Sequence, residues 1–422
     1  MEISKFYQIW KNSTGVCIDS RKIHDGCLFF ALSGENFDGN IFAEKALESG
    51  ASYAIVDKDK FNGNVTSKII LVDDVLKHLQ NLARFHRSLL QIPVLGITGS
   101  NGKTTTKELA RDVIAKKYKV YATQGNLNNH IGVPLTLLSV KEDIEFLIVE
   151  MGANHQGEIN LLSNIANPNF GMITNIGKAH LEGFGGVEGI KLGKSELYKH
   201  LNINGGQLFL NEDDGVLKSL IPVGSSTIIY SSSKLVEILN DEHFLTLKYN
   251  GQELSTHLYG KYNVHNIAFA IALGAYFGVP NEDIIDAISS YKPDNNRSQV
   301  IQNGSNTIIL DAYNANPSSM LESLQSFSKM NGKKVLVLGD MLELGEYSKS
   351  EHQKIIDLVE KINPYDAIFV GKQFFQAGHN RLGNYFENIM EAKKYFSIQK
   401  YDNTNILLKG SRGIAVEKIL EE

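Results

Sequence analysis

Residues 94–110 read VLGITGSNGKTTTKELA, an apolar run that enters a glycine-rich turn and leaves it as a helix. Few folds accommodate that juncture. A short apolar run without polar alternation is buried on both faces, which calls for a mostly parallel sheet covered by helices on either side. In the helical segment KTTTKELARDVIAKK, Leu109 and Val113 fall one turn apart. Glycines at such a turn let backbone N–H groups surround phosphates, and the helix N-terminus favours negative charge.

The usual phosphate-loop spacing places a glycine five residues before Gly102, where Ile97 stands. The motif is therefore a shortened variant, G-x-x-G-K-T, comprising Gly99, Ser100, Asn101, Gly102, Lys103 and Thr104, with Thr105 directly after it. Lys103 is suited to the terminal phosphates of ATP, and Thr104 or Thr105 to Mg²⁺.

The alternation of strand and helix continues through FLIVE (146–150), FGMITNI (170–176), QLFLN (207–211) and STIIY (226–230). A hairpin interrupts it at HFLTLKYNGQELSTHL, where Asn250-Gly251 is a two-residue turn signal. NVHNIAFAIALGAYFGV then reads as a helix, and a third alternation follows in NTIILD, KVLVLGD, DAIFVG and NILLKG. Ahead of all this, residues 1–90 form a small mixed unit with strands in CLFFAL and YAIV. A helix there aligns Leu76, Leu79, Ala83 and His86. The fold class is α/β in three domains: 1–90, a central phosphate-loop domain at 91–297, and a Rossmann-like domain at 298–422. The polar stretch KPDNNRS (292–298) is the expected hinge between the last two.

Charge narrows the function classes. With 42 basic and 47 acidic residues among 422, the net charge of −5 is too mild and evenly spread for a nucleic-acid footprint. Cys17 and Cys27 have no metal-ligand spacing, and read as idle thiols of a reducing compartment. No apolar stretch approaches the roughly 20 residues that span a bilayer. A cytoplasmic protein without a secretory signal is expected.

Two further polar segments follow strands. Glu150 closes FLIVE, and a carboxylate at the end of a neighbouring strand is a common magnesium anchor in phosphate-loop enzymes. His180 and Glu182 sit in the glycine-rich loop ITNIGKAHLEGFGG. Lys194 lies in GIKLGKSELYKHL, a helix start where it reads by default as a solvated charge. Residue physics alone does not separate it from Lys191 or Lys199.

Eight motifs taken together resemble the Mur ligases: DSRKIHDGCLFFAL, GSNGKTTTKE, GNLNNHIGVP, EMGANHQGEI, NIGKAHLEGFGGVEGI, DAYNANPSSM, LGDMLELGE and LLKGSR. The resemblance spans essentially the whole chain. It implies a UDP-substrate domain, a central ATPase and a C-terminal domain for the amino substrate. The activity it implies is ATP-dependent amide formation between UDP-N-acetylmuramoyl-tripeptide and D-alanyl-D-alanine in peptidoglycan precursor synthesis, through an acyl phosphate, by a monomer.

Residue by residue, the resemblance gives Lys103 the β- and γ-phosphates, and Thr104, Thr105, Glu150 and His180 a pair of Mg²⁺ ions. It makes Lys194 a carbamylated lysine. Asn263 and Asn266 would contact adenine, Arg297 the γ-phosphate, and Asp311 and Asn314 the nucleotide. Ser20, Arg21, Asp38 and Gly39 would meet the uridine nucleotide, and Asn126, Asn128 and Asn129 the central cleft. Lys409, Ser411 and Arg412 would lie near the dipeptide. Rival expectations are a sibling ligase that adds a single amino acid, a folylpolyglutamate synthase-like ligase, and a nucleotide-binding regulator without catalysis.

Overall fold

The computed structural model describes residues 2–294, 296–378 and 381–421. Asn295, inside the expected hinge, lies outside them. Three sheets, parallel but for one edge strand of the last, organise the chain, and their order follows from where the apolar runs fall. In the first, Val16–Cys17, Leu28–Phe30, Tyr53–Asp57 and Ile69–Val72 pair in chain order, all parallel. The helix Val75–Leu89 covers it and buries Leu79, Ala83 and His86 along one side, while Leu76 packs at the edge of that core. Both cysteines are buried and free.

The central sheet has six parallel strands in the spatial order Ser226–Tyr230, Gln207–Asn211, Phe170–Ile173, Val94–Thr98, Phe146–Glu150 and Val120–Ala122. All five residues of Val94–Thr98 and all five of Phe146–Glu150 are buried, as strands covered on both faces require. Ile97 stands opposite Glu150 in the register, so the two strands end together. That pairing delivers the glycine-rich turn and a carboxylate to one edge of the sheet, where open α/β sheets gather ligands.

The hairpin forms as its turn signal requires. Tyr249 pairs with Gln252 across Asn250 and Gly251, which take φ of 47° and 81°. A third strand, Glu237–Asn240, adds to its side. In the C-terminal sheet the order is Gln299–Asn303, Asn306–Asp311, Thr404–Lys409, Lys333–Gly339, Asp366–Val370, Asn384–Phe386, with only the first antiparallel. The two edge strands of this sheet, and Glu237–Asn240, are absent from the sequence reading. Each is short or largely polar, so the apolar-run signal is missing.

Candidate active site

The phosphate loop is shaped by close packing around two glycines. Gly99 has φ of 140°, and a Cβ there would lie 2.0 Å from Thr174 Oγ1. Gly102 has φ of 78°, with Asn266 Oδ1 2.7 Å from where a Cβ would stand. Neither site admits an L side chain without displacement. The loop is tied to the neighbouring strand end: Ser100 N–H donates to Asn175 O and Asn101 N–H to Asn175 Oδ1, both at 3.0 Å. Thr174 donates its hydroxyl to Asn101 O at 2.6 Å.

Lys103 opens the helix Lys103–Ile114 and folds back over the loop, donating to Gly99 O at 2.8 Å and Ser100 O at 3.2 Å. Burial holds its ammonium down to about 8; Glu150 opposes that shift and Arg297 adds to it. Its two hydrogen-bond acceptors are neutral carbonyls, which an arriving phosphate can replace. Thr104 and Thr105 are buried beside it and line the same cavity, of about 490 Å³.

Glu150 is 1% exposed. Its Oε1 accepts from Asn128 Nδ2 at 2.8 Å, whereas its Oε2 is buried without a hydrogen-bond partner. Among the described residues, no three His, Cys, Asp or Glu side chains gather in a metal-ligating group. The Glu150 carboxylate with the Thr104 and Thr105 hydroxyls in the same cavity would suit Mg²⁺, which is commonly held by one or two protein oxygens with phosphate and water completing its shell. The uncommitted Oε2 is the carboxylate oxygen such an ion requires.

Lys194 corrects the surface reading. It stands in the middle of the helix Val187–Ile203, not at its start, and is 1% exposed. Its Nζ donates to Ala153 O at 3.0 Å and lies 5.0 Å from the centre of the Phe184 ring. Burial, reinforced by the Lys103 charge, lowers its pKa well below the usual lysine range, against smaller opposing effects of Glu158 and Glu196. Lys191 instead pairs with Glu188 at the surface, and Lys199 is exposed.

His180 lines the cavity with a left-handed φ of 54°. It pairs through Nδ1 with Glu343 of the C-terminal unit, and this contact holds the Glu343 carboxyl below its ordinary range.

The same cavity is lined by Asn263, Asn266, Arg297, Asp311, Asn314, Asn128, Asn129 and Lys409. Asn266 accepts from Thr106 Oγ1 at 3.0 Å and donates to Asn263 Oδ1 at 2.8 Å, so the asparagine pair also braces the loop helix. The Arg297 guanidinium stacks 3.6 Å from the Tyr313 ring centre, and its Nε is buried without a partner. Asp311 and Lys409, opposite each other in the register, form an ion pair. Asn129 caps the following turn through its Oδ1, which accepts from Gly132 N at 2.8 Å.

Three family models match: the Mur ligase family catalytic domain over residues 12–87, the Mur ligase middle domain over 97–274, and the Mur ligase glutamate ligase domain over 296–412. A UDP-N-acetylmuramoyl-tripeptide–D-alanyl-D-alanine ligase of Bacillus subtilis is 37% identical over 97% of this chain and 92% of its own length. The chain belongs to the Mur ligase family. Two solved Mur ligases share its architecture. MurF from Acinetobacter baumannii superposes with a TM-score of 0.86 at 29% identity, covering 99% of this chain and 97% of the other. MurF from Thermotoga maritima in complex with ADP gives 0.85 at 27%, covering 98% and 97%.

In this Mur ligase several expected positions stand apart from the phosphate-loop cavity. Ser20, Arg21, Asp38 and Gly39 belong to the first sheet's unit and do not line it. Arg21 pairs with Asp19 at the surface, and Asp38 accepts from Asn40 N at 2.9 Å. Asn126 and Arg412 line an adjoining polar cavity that also touches Thr104, Arg297 and Tyr313. Ser411 is 2% exposed and donates to Ala315 O at 3.2 Å, a bond that fastens two C-terminal loops.

The sequence reading missed Asn316, Ser319 and Glu322, which also line the cavity. Burial pushes the Glu322 carboxyl above its ordinary range, with Lys409 opposing. Asn316 and Ser319 form a capping box ahead of the helix Pro317–Ser328, and Asn-Pro-Ser-Ser carries that N-terminal signal.

Proposed function

We propose that this Mur ligase joins the terminal carboxylate of UDP-N-acetylmuramoyl-tripeptide to the amine of D-alanyl-D-alanine, converting ATP to ADP and phosphate. One observation carries the reading: residues from the central and C-terminal units converge on one cavity around a desolvated phosphate-loop lysine. The full-length similarity to ligases of that name supports the choice of substrates. Precursor synthesis from cytosolic nucleotides makes the cytoplasm its place of action, and a monomer is sufficient because all three units lie in one chain.

A carboxylate is a poor electrophile at neutral pH. Its oxygen attacks the γ-phosphorus, the bond to the β-phosphate oxygen breaks, and ADP leaves from the resulting acyl phosphate. The dipeptide amine then adds to the acyl carbon, the C–O bond to phosphate breaks, and the amine gives up a proton to water. Lys103 and Arg297 neutralise the transferring phosphoryl oxygens. Glu150, with Thr104, Thr105 and His180, would hold Mg²⁺, which would supply further charge compensation at the phosphates. Asn263, Asn266, Asp311 and Asn314 contact the rest of the nucleotide. Ser20, Arg21, Asp38 and Gly39 bind the uridine end; Asn126, Asn128 and Asn129 line the cleft, and Lys409, Ser411 and Arg412 border the dipeptide.

Lys194 is carbamylated in the working enzyme. Burial favours the neutral amine of Lys194 over its ammonium, and the neutral amine can add to CO₂, losing one proton to give a carbamate. That reaction puts an anion, able to serve the metal pair, in place of the neutral amine.

The test is phosphate release with the muramoyl tripeptide and a panel of amines. Release with D-alanyl-D-alanine, and little with single D-amino acids, is expected. Release with glutamate and a folate, but none with the muramoyl substrate, would overturn the assignment.

A further inference from the structure

Lys107 is only 2% exposed, yet none of the chemistry above uses it. It lies one turn beyond Lys103 on the helix Lys103–Ile114, on the same side. From there its side chain reaches Glu150, at the end of the strand Phe146–Glu150. Its Nζ stands 3.7 Å from Glu150 Oε2 and 3.9 Å from Glu108 Oε1. Glu108 accepts a 2.6 Å hydrogen bond from the hydroxyl of Tyr291, the residue that ends the helix Asn281–Ser290 and leads into the hinge.

A leucine or methionine fills a buried helix position without desolvating a charge, so an ammonium here needs a compensating interaction. Glu108 and Glu150 both supply it, Glu150 on particular terms. Asn128 ties Oε1 by a hydrogen bond, while Lys107 stays outside hydrogen-bonding distance of Oε2 and attracts it only through space. The carboxylate is therefore held at both oxygens, and Oε2 keeps its lone pairs uncommitted.

The geometry points to Lys107 as a positioning residue for Glu150, one that holds the carboxylate in place for the divalent cation accompanying the nucleotide. This rests on the reading of Glu150 as the metal carboxylate. A core lysine with a merely structural role would affect folding or loop shape, and would leave the metal dependence of nucleotide binding untouched.

The experiment measures ADP affinity by calorimetry, with Mg²⁺ and with chelator, for the full-length parent, Lys107→Met, Glu150→Gln and the double variant. The gain in affinity on adding Mg²⁺ should fall at least about fivefold in Lys107→Met, with metal-free affinity within about twofold of the parent. The double variant should show the same gain as Glu150→Gln alone, since the two residues act through one carboxylate. An unchanged gain in Lys107→Met, an equal loss of metal-free affinity, or losses that add in the double variant would each overturn the proposal. If Lys107→Met fails to fold, a folded double variant with the gain of Glu150→Gln supports it, and an unfolded double variant overturns it. Full retention of the gain by Glu150→Gln is a separate result: it removes the metal-carboxylate reading itself, and this proposal with it.

Discussion

Asn316 Nδ2 donates a 2.6 Å hydrogen bond to Asn101 Oδ1, joining the N-cap of a C-terminal helix to the phosphate loop of the central unit. Two more contacts cross the same cleft: Lys178 N–H donates to Ser318 Oγ at 2.9 Å, and Lys178 Nζ pairs with Glu351 at 2.8 Å. The phosphate loop and the strand-end loop beside it are thereby connected to the C-terminal unit.

Asn316→Ala removes both the cap and the cross-cleft bond. The cap accounts for about 1 kcal/mol of stability. The lost contact should widen the cleft, seen as a larger radius of gyration in solution scattering. Water then reaches the acyl phosphate, so phosphate released per amide formed should rise above one. Strict one-to-one coupling in this variant would show that the contact does not govern closure.

Lys103→Met should lower ATP-dependent phosphate release by at least about a thousandfold, because the lysine's charge acts where charge develops on the phosphoryl group. Its effect on the free protein runs the other way. A folded pKa of about 8, below the ordinary lysine value of 10.5, means the folded state holds the buried proton at a cost. That cost is full below the folded pKa and vanishes as pH rises past the unfolded one. Lys103→Met should thus stabilise the nucleotide-free protein by roughly 1–3 kcal/mol at pH 7. Thermal melts should show that advantage shrinking between about pH 8 and 10.5.

Gly99→Ala should weaken ADP binding by more than about tenfold, since the new methyl meets Thr174 Oγ1 at 2.0 Å and its backbone N at 2.9 Å. Calorimetry on the folded variant reads this directly. Near-parental affinity would mean that the loop adapts without its present register.

Lys194→Ala should lose at least about a hundredfold in activity and recover part of it with a short carboxylic acid, which restores an anion at the vacated site. Carbon-13 NMR with labelled bicarbonate should show a carbamate resonance in the parent and none in the variant. Rescue by an alkylamine in place of the acid would contradict the carbamate.

Much of the site was legible in the chain because it is local. Gly99, Gly102, Lys103 and the two threonines lie within seven residues, and their meaning depends on a strand before them and a helix after. Glu150 was legible for a similar reason, at the end of an apolar run. Lys194 was not, because GIKLGKSELYKHL contains lysines of near-equal local surroundings. Only the packing of Phe184 and Ala153 distinguishes the one that is buried. The cross-cleft pairs were hidden too, since Asn101 and Asn316 are far apart in sequence and their contact depends on how two units meet.

The sequence by itself determined the apolar periodicity, and with it the parallel sheets and the shortened phosphate loop. These are short-range properties, set by side-chain pattern and backbone freedom. Tertiary structure decided the electrostatics. Whether a lysine is a solvated cation or a buried amine held below its usual pKa, and whether a carboxylate keeps an oxygen free, depends on which distant residues exclude water around it.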